Sequence, residues 1–294
     1  MATLTTSLLL YIPLSLLLLI LTLHLLAHFH ILQPYTSFTA RTLTAYLTLT
    51  ICALYGTLAS LTLRLVSNPR RSQYLTARSF HHLMNLTTGL RFAPIQNAHL
   101  LNSVRPAVLV GNHQSALDVL FLAAIWPQYC SVTAKKSLKY TPFLGWFMTL
   151  STTIFIDRAN RSSAISAFDS AAEEMVAHSQ SVFIFPEGTR SNAPGPTMGP
   201  FKKGAFHLAI RAQVPILPVV AANYYGVLSL KEKVFRPGRI PVKVLEPVET
   251  KGLGPEDVEE LMGKVRARML EALVEVSTSE EGRKVAGRET VKGK

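Results

Sequence analysis

Acidic residues are missing from the first 117 positions of this 294-residue chain. Asp118 is the first, and seven arginines precede it: Arg41, Arg64, Arg70, Arg71, Arg78, Arg91 and Arg105. From Lys251 onward nine basic residues balance nine acidic ones, so the net charge of +12 sits in residues 1–250, where 21 basic residues face nine acidic. A charge this lopsided calls for an anionic partner surface, either nucleic acid or anionic lipid. Cysteine is scarce as well. Cys52 and Cys130 supply no disulfide framework and no zinc-ligand spacing, which points to a reducing compartment for the folded part and gives no metal site. No G-x-S-x-G elbow occurs, so the serine acyl-enzyme of that hydrolase type has no nucleophile here. No segment repeats.

Charge of either sign is also absent from Leu4–Leu32 and from Thr42–Leu63. Each stretch exceeds the ~20 residues that cross a bilayer core. A cleaved signal peptide is the alternative for the first, but it lacks a basic leading segment and a convincing small-residue cleavage site. The two stretches therefore read as an N-terminal membrane-embedded helical hairpin, and the anionic partner as membrane lipid, not nucleic acid. One arginine lies in the link, whereas Arg64, Arg70, Arg71 and Arg78 come after the second helix. The positive-inside bias puts the region beyond that helix in the cytosol. A hairpin that spans and one immersed in a single leaflet give the same sidedness, and both stay open.

The patterning divides the chain into four regions: two apolar helices over 1–66, a basic amphipathic connector over 67–105, an α/β domain over 106–250, and a C-terminal amphipathic helix with a polar tail over 251–294. The connector reads as one helix, Ser67–Arg91, with His81 and His82 solvated. From Pro106 short apolar runs alternate with helical segments, the pattern of a mostly parallel sheet covered by helices. Strands are expected over 107–110, 131–134, 152–156, 181–185, 216–222 and 240–245, and helices over 115–126, 141–150, 161–178 and 202–213. In Glu256–Val276 a stripe of Val258, Leu261, Met262, Val265, Met269 and Leu273 would pack on the core. The chain after Ser277 reads as a frayed tail.

The chemistry concentrates in VLVGNHQSALDVL, residues 108–120. A buried strand ends at Gly111, His113 falls in the turn, and Ser115 with Asp118 three residues on resembles a capping box with Ser115 as N-cap. Turns after strands are where ligands bind in open α/β sheets. A carboxylate that fixes the tautomer of a nearby imidazole makes a general base, although a solvated histidine and a helix-capping aspartate explain the same letters. A second motif, Phe185-Pro186-Glu187-Gly188-Thr189-Arg190, stands about seventy residues later.

NHQSALD with FPEGTRS after it resembles the glycerophospholipid acyltransferases, and most closely the 1-acyl-glycerol-3-phosphate acyltransferases. KKSLKYTPFLGWF…FIDR at 135–158 and VPILPV at 214–219 fit in the same order, so the resemblance covers roughly residues 70–250. It implies His113 as base and Asp118 as its partner, with direct attack of the acceptor hydroxyl on the thioester of acyl-CoA as co-substrate, no acyl-enzyme and no cofactor. It implies that Arg190 grips the phosphate of lysophosphatidic acid, with Arg158 and Lys135 as further candidates, and that Glu187, Gly188 and Thr189 shape that loop. Lys136 leaves the register of Lys135 open, and a Glu187–Arg190 salt bridge is the plain alternative. Lys202 and Lys203 are phosphate ligands or simply solvated. VPILPV is a strand near the acyl path or plain core. By the same lineage the membrane is the endoplasmic reticulum. Two rivals remain: an enzyme of the superfamily acting on glycerol 3-phosphate or another lysophospholipid, and a non-enzymatic protein that binds anionic lipid.

Overall fold

The computed structural model describes residues 2–157 and 159–285. Its strands are β1 (Leu90–Gln96), β2 (Val108–Gly111), β3 (Cys130–Lys135), β4 (Ile154–Ile156), β5 (Ser181–Ile184), β6 (Ile216–Ala221), β7 (Leu228–Ser229), β8 (Val234–Phe235) and β9 (Gly238–Val244). Seven of them form one sheet in the order β1-β9-β6-β2-β5-β3-β4, and β7 pairs with β8 apart from it. The central strands β6, β2 and β5 are buried at every position, because both faces of a parallel sheet are covered. All six expected strands are present, each end within two residues of expectation.

Strands β2 to β6 run the same way, with Val110 level with Ile184 and Pro218, and Val132 level with Phe183. Their C-terminal ends therefore open on one edge of the sheet, where the loops carrying the two motifs emerge side by side. Only β9 meets its neighbour β6 antiparallel, and β1 runs parallel to β9. Here the helical reading of 67–91 needs correction. Helix α3, the third in the chain, spans Ser72–Thr88 and stops at Gly89, whose left-handed φ of 68° closes it. The next residues form β1, and Pro94 is tolerated there because β1 is an edge strand with a single partner. His81 is also not solvated: both its ring nitrogens are closed off from solvent.

Helices α1 (Ala2–His28) and α2 (Tyr35–Leu65) form the apolar hairpin. Small residues line the inner side of α2: Ala40, Thr48, Cys52, Ala53, Gly56 and Ser60 are buried, whereas Ile51, Leu54, Tyr55, Leu58 and Leu61 are exposed. The small stripe lets α2 lie close on α3 and on α6 (Leu144–Leu150); a Cβ added at Gly56 would stand 2.7 Å from Phe147 and from Thr76. Both ends are tied to the domain, since Arg41 Nη1 donates to the Thr88 carbonyl (2.7 Å) and Arg64 Nε to that of Leu150 (3.1 Å).

One side of the sheet carries α3 and α5 (Asp118–Ile125); the other carries α7 (Arg161–His178), α8 (Gly204–Ala212) and α9 (Val258–Thr278). The short α4 (Leu100–Ser103) leads into β2. Phe92, Phe121 and Phe183 meet in the first layer, each essentially inaccessible and each contributing about 1.5–3 kcal/mol by burial. In α9 the expected stripe is buried at Val258, Leu261, Val265, Met269 and Leu273, with Met262 at its margin. The tail does not fray at Ser277. A further helix, α10 (Glu280–Val285), turns back on β9 and buries Val285.

Candidate active site

The turn after β2 is built around the Asp118 carboxylate. Its Oδ2 lies 2.6 Å from His113 Nδ1 and accepts the backbone N–H groups of Gln114 (2.9 Å) and Ser115 (3.1 Å). Its Oδ1 accepts the phenolic O–H of Tyr224. Asp118 is buried, and these donors replace the water it gives up. With that many donors directed at it the group serves as an acceptor, so Nδ1 of His113 is the donor of the pair. The imidazole stacks on Phe185 at 4.2 Å and 14°. Ser115 is not the N-cap: α5 starts at Asp118 with Leu117 before it, and the Ser115 hydroxyl accepts the Leu117 N–H (3.2 Å). The residue that reaches back is Asp118, because its carboxylate is the stronger acceptor for both turn amides.

Two neighbours clamp this turn to the end of β6. Asn112 exchanges two 2.9 Å hydrogen bonds with Ala221, donating to its carbonyl and accepting its N–H, as a backbone peptide would. Gln114 donates to the carbonyls of Ala221 (3.2 Å) and Ala222 (3.0 Å). Neither these roles nor Tyr224 can be read from the motif letters. Their only signal is position, since Tyr224 stands three residues beyond the C-terminal end of a central strand.

The second motif leaves β5 on the same edge. Glu187 does not pair with Arg190. Its buried carboxylate accepts the His113 N–H at Oε1 (2.7 Å) and the Gly199 N–H at Oε2 (2.8 Å). Burial raises its pKa above the usual glutamate value, and the two amide donors pull it back down. Gly188 takes a left-handed φ of 68° that residues with a Cβ rarely adopt, with the Lys202 side chain alongside. Beyond that turn Ser191 and Asn192 donate to the carbonyls of His113 and Gln114 (both 2.9 Å), joining the two loops.

Both loops face a cavity of about 650 Å³. Its mouth holds His113, Thr189, Arg190, Asn192 and Lys135; its depth is apolar and lies between α2, α3, α5 and α6, with Leu49, Cys52 and Ala53 of α2 in the wall. Arg190 is exposed and makes no ion pair with a described residue. Lys135 ends β3 and lines the cavity, whereas Lys136 pairs with Asp157 at 3.0 Å. Arg158 lies outside the described residues. Lys203 pairs with Glu259 on the surface. The VPILPV strand is plain core: β6 is fully buried and contributes nothing to the cavity wall.

A histidine held by a buried carboxylate at the mouth of an apolar cavity, beside two cations that make no ion pair with a described residue, is the layout of an enzyme. A sequence model of the Acyltransferase family matches residues 93–222. The chain is 42% identical to the 1-acyl-sn-glycerol-3-phosphate acyltransferase of Saccharomyces cerevisiae over 81% of its own length and 78% of the yeast protein. It is 41% identical to the human 1-acyl-sn-glycerol-3-phosphate acyltransferase alpha, covering 66% of this chain and 68% of that one. Among solved structures, that of the 1-acyl-sn-glycerophosphate (LPA) acyltransferase PlsC from Thermotoga maritima superposes with a TM-score of 0.66 at 25% identity, covering 81% and 95% of the two chains. The chain belongs to the 1-acyl-sn-glycerol-3-phosphate acyltransferase family and is an acyltransferase.

Proposed function

We propose that the protein transfers an acyl group from acyl-CoA to the sn-2 hydroxyl of 1-acyl-sn-glycerol 3-phosphate, giving phosphatidic acid. The observation that carries this reading is the placement of His113, with Nε2 free, between an apolar cavity and the unpaired cations Arg190 and Lys135. The relatives' names support the acceptor; the cavity supports an acyl substrate.

In the step this implies, Nε2 takes the hydroxyl proton while the oxygen attacks the thioester carbonyl carbon. Asp118 balances the imidazolium charge. The tetrahedral intermediate collapses with cleavage of the C–S bond, and His113 returns the proton to the departing thiolate. The backbone N–H groups of Thr189 and Arg190 line the same loop without partners among the described residues, and they suit the developing oxyanion. Arg190 and Lys135 hold the acceptor phosphate, with Arg158 as a third cation. No cofactor enters this scheme.

The hairpin anchors the enzyme in the endoplasmic reticulum membrane with the domain on the cytosolic side. Attachment of α2 to the domain at both of its ends supports a hairpin lying in one leaflet, because a spanning α2 would carry the domain into the bilayer with it. His113→Ala in detergent-purified enzyme tests the chemistry: turnover falls about 10²–10⁴-fold with the protein still folded. A panel of lysophosphatidate, glycerol 3-phosphate and other lysophospholipids tests the acceptor. Near-normal turnover of the variant, or preference for another acceptor, overturns the corresponding part.

A further inference from the structure

Beside α2 the domain carries a shelf, residues 136–150, with the composition of a membrane surface. From Val119 to Ile156 the chain has no acidic residue, but it has Lys135, Lys136 and Lys139. Lys136 is neutralised by Asp157; Lys139 makes no ion pair with a described residue. Tyr140 exposes 76% of its surface, Trp146 55% and Leu138 38%, an arrangement that costs apolar hydration if it faces water. An exposed tyrosine and an exposed tryptophan within one short segment belong at a boundary where one end of the ring is apolar and the other wet.

The shelf packs against α2. Phe147, next to Trp146, packs where Gly56 brings α2 close, and Arg64 is bound to Leu150 at the end of the same helix. On α2 the exposed residues over this stretch are Leu54, Tyr55, Leu58 and Leu61.

We propose that this shelf is a second membrane contact, docking on the anionic headgroup layer of the bilayer that holds the hairpin. Trp146, Tyr140 and Leu138 enter the interface, and Lys139 and Arg64 meet lipid phosphates. The occupant is a bilayer and not a protein for two reasons: the shelf lies against the apolar helix α2, and the charges along it that lack an ion-pair partner among the described residues, Lys139 and Arg64, are positive. The contact has a use. The seam between α2 and the shelf, formed by Leu49, Ala53, Leu138, Leu144 and Phe147, is also a wall of the cavity. Docking the shelf brings that seam to the depth of the acyl chains, so a lipid tail can pass sideways from the leaflet toward His113.

The inference rests on reading α1–α2 as a membrane hairpin, and one experiment separates the two. The protein has two tryptophans, and Trp126 is buried, so the emission of the full chain minus that of Trp146→Phe reports Trp146. The chain is reconstituted into phosphatidylcholine vesicles, with or without phosphatidylserine and with or without bromine on the lipid tails. Trp146 is expected to emit at shorter wavelength, to lose emission to brominated tails and to be shielded from aqueous iodide. Phosphatidylserine should strengthen all three effects, and Lys139→Gln should remove that extra strength. A chain that floats with the vesicles but leaves Trp146 open to iodide overturns the shelf alone. Shielding without bromine quenching marks a protein contact and overturns it too. A chain that does not float overturns the hairpin and the shelf together.

Discussion

Tyr224 donates its phenolic O–H to Asp118 Oδ1 across 106 residues of chain, and on the same oxygen it accepts the Ser115 N–H at 3.1 Å. Burial pushes the phenol pKa well above its ordinary value, with the Asp118 charge adding to the effect, so Tyr224 remains a donor. The two carboxylate oxygens thus have separate duties: Oδ2 holds His113, and Oδ1 is pinned from behind by Tyr224. Edge contact with Phe92 at 5.3 Å fixes the phenol ring itself.

Tyr224→Phe keeps that ring contact and deletes one hydrogen bond to a charged acceptor, a loss of about 1.5–3 kcal/mol. If the bond aligns Asp118 for the imidazolium, kcat falls roughly ten- to a hundred-fold while both KM values stay close to those of the parent. Steady-state kinetics beside a melting curve check it. An unchanged kcat means that the Gln114 and Ser115 amides alone hold the carboxylate.

His113 and Asp118 were legible in the sequence because their pairing is local: five residues, one turn, one strand end. The α/β alternation was legible for the same reason, since apolar runs and their spacing are set by each element's own burial. The parts that escaped are non-local. Tyr224 and Gly199 reach the site only through strand order, and no periodicity announces an edge strand such as β1, which carries Arg91 and Pro94 inside it. The misplaced cap at Ser115 has another cause: a capping box and a carboxylate buried by its own turn use the same letters at the same spacing.

Glu187 is expected to act through the loops it joins. Glu187→Ala leaves the His113 and Gly199 N–H groups without their acceptors, at about 1–3 kcal/mol each where they are shut from water. Glu187→Gln should fall between, because an amide offers one acceptor oxygen where the carboxylate offers two. Denaturant melts of both variants should rank in that order, and turnover with them. A stable Glu187→Gln enzyme that fails only with the phosphorylated acceptor would instead place Glu187 against substrate.

If the cavity takes the acyl chain, its wall on α2 makes that helix part of the specificity pocket. Ala53 is 3% exposed, so Ala53→Leu drives three more carbons into the acyl space and adds about 1–3 kcal/mol of packing strain. The ratio of kcat/KM for long over short acyl-CoA donors should drop, with turnover of the short ones kept. An unchanged ratio alongside a lowered melting temperature would confine Ala53 to helix packing.

Arg190 gives the sharpest test of the acceptor site. It is exposed at the mouth of the cavity, on the loop that Gly188 turns, and no carboxylate among the described residues neutralises it. An unpaired guanidinium there is available to a phosphate, and a charge-assisted bond of about 1.5–3 kcal/mol sets the expected loss. Arg190→Ala should lower acceptor kcat/KM roughly ten- to a hundred-fold and leave the KM for acyl-CoA nearly unchanged. Arg190→Lys should recover only part of this, since lysine keeps the charge but loses the planar fork. Exposure also predicts that neither variant melts early, because no buried partner is abandoned. Donor and acceptor efficiencies that fall together, or a marked loss of stability, would assign Arg190 to the architecture of the loop and leave the phosphate to Lys135 and Arg158.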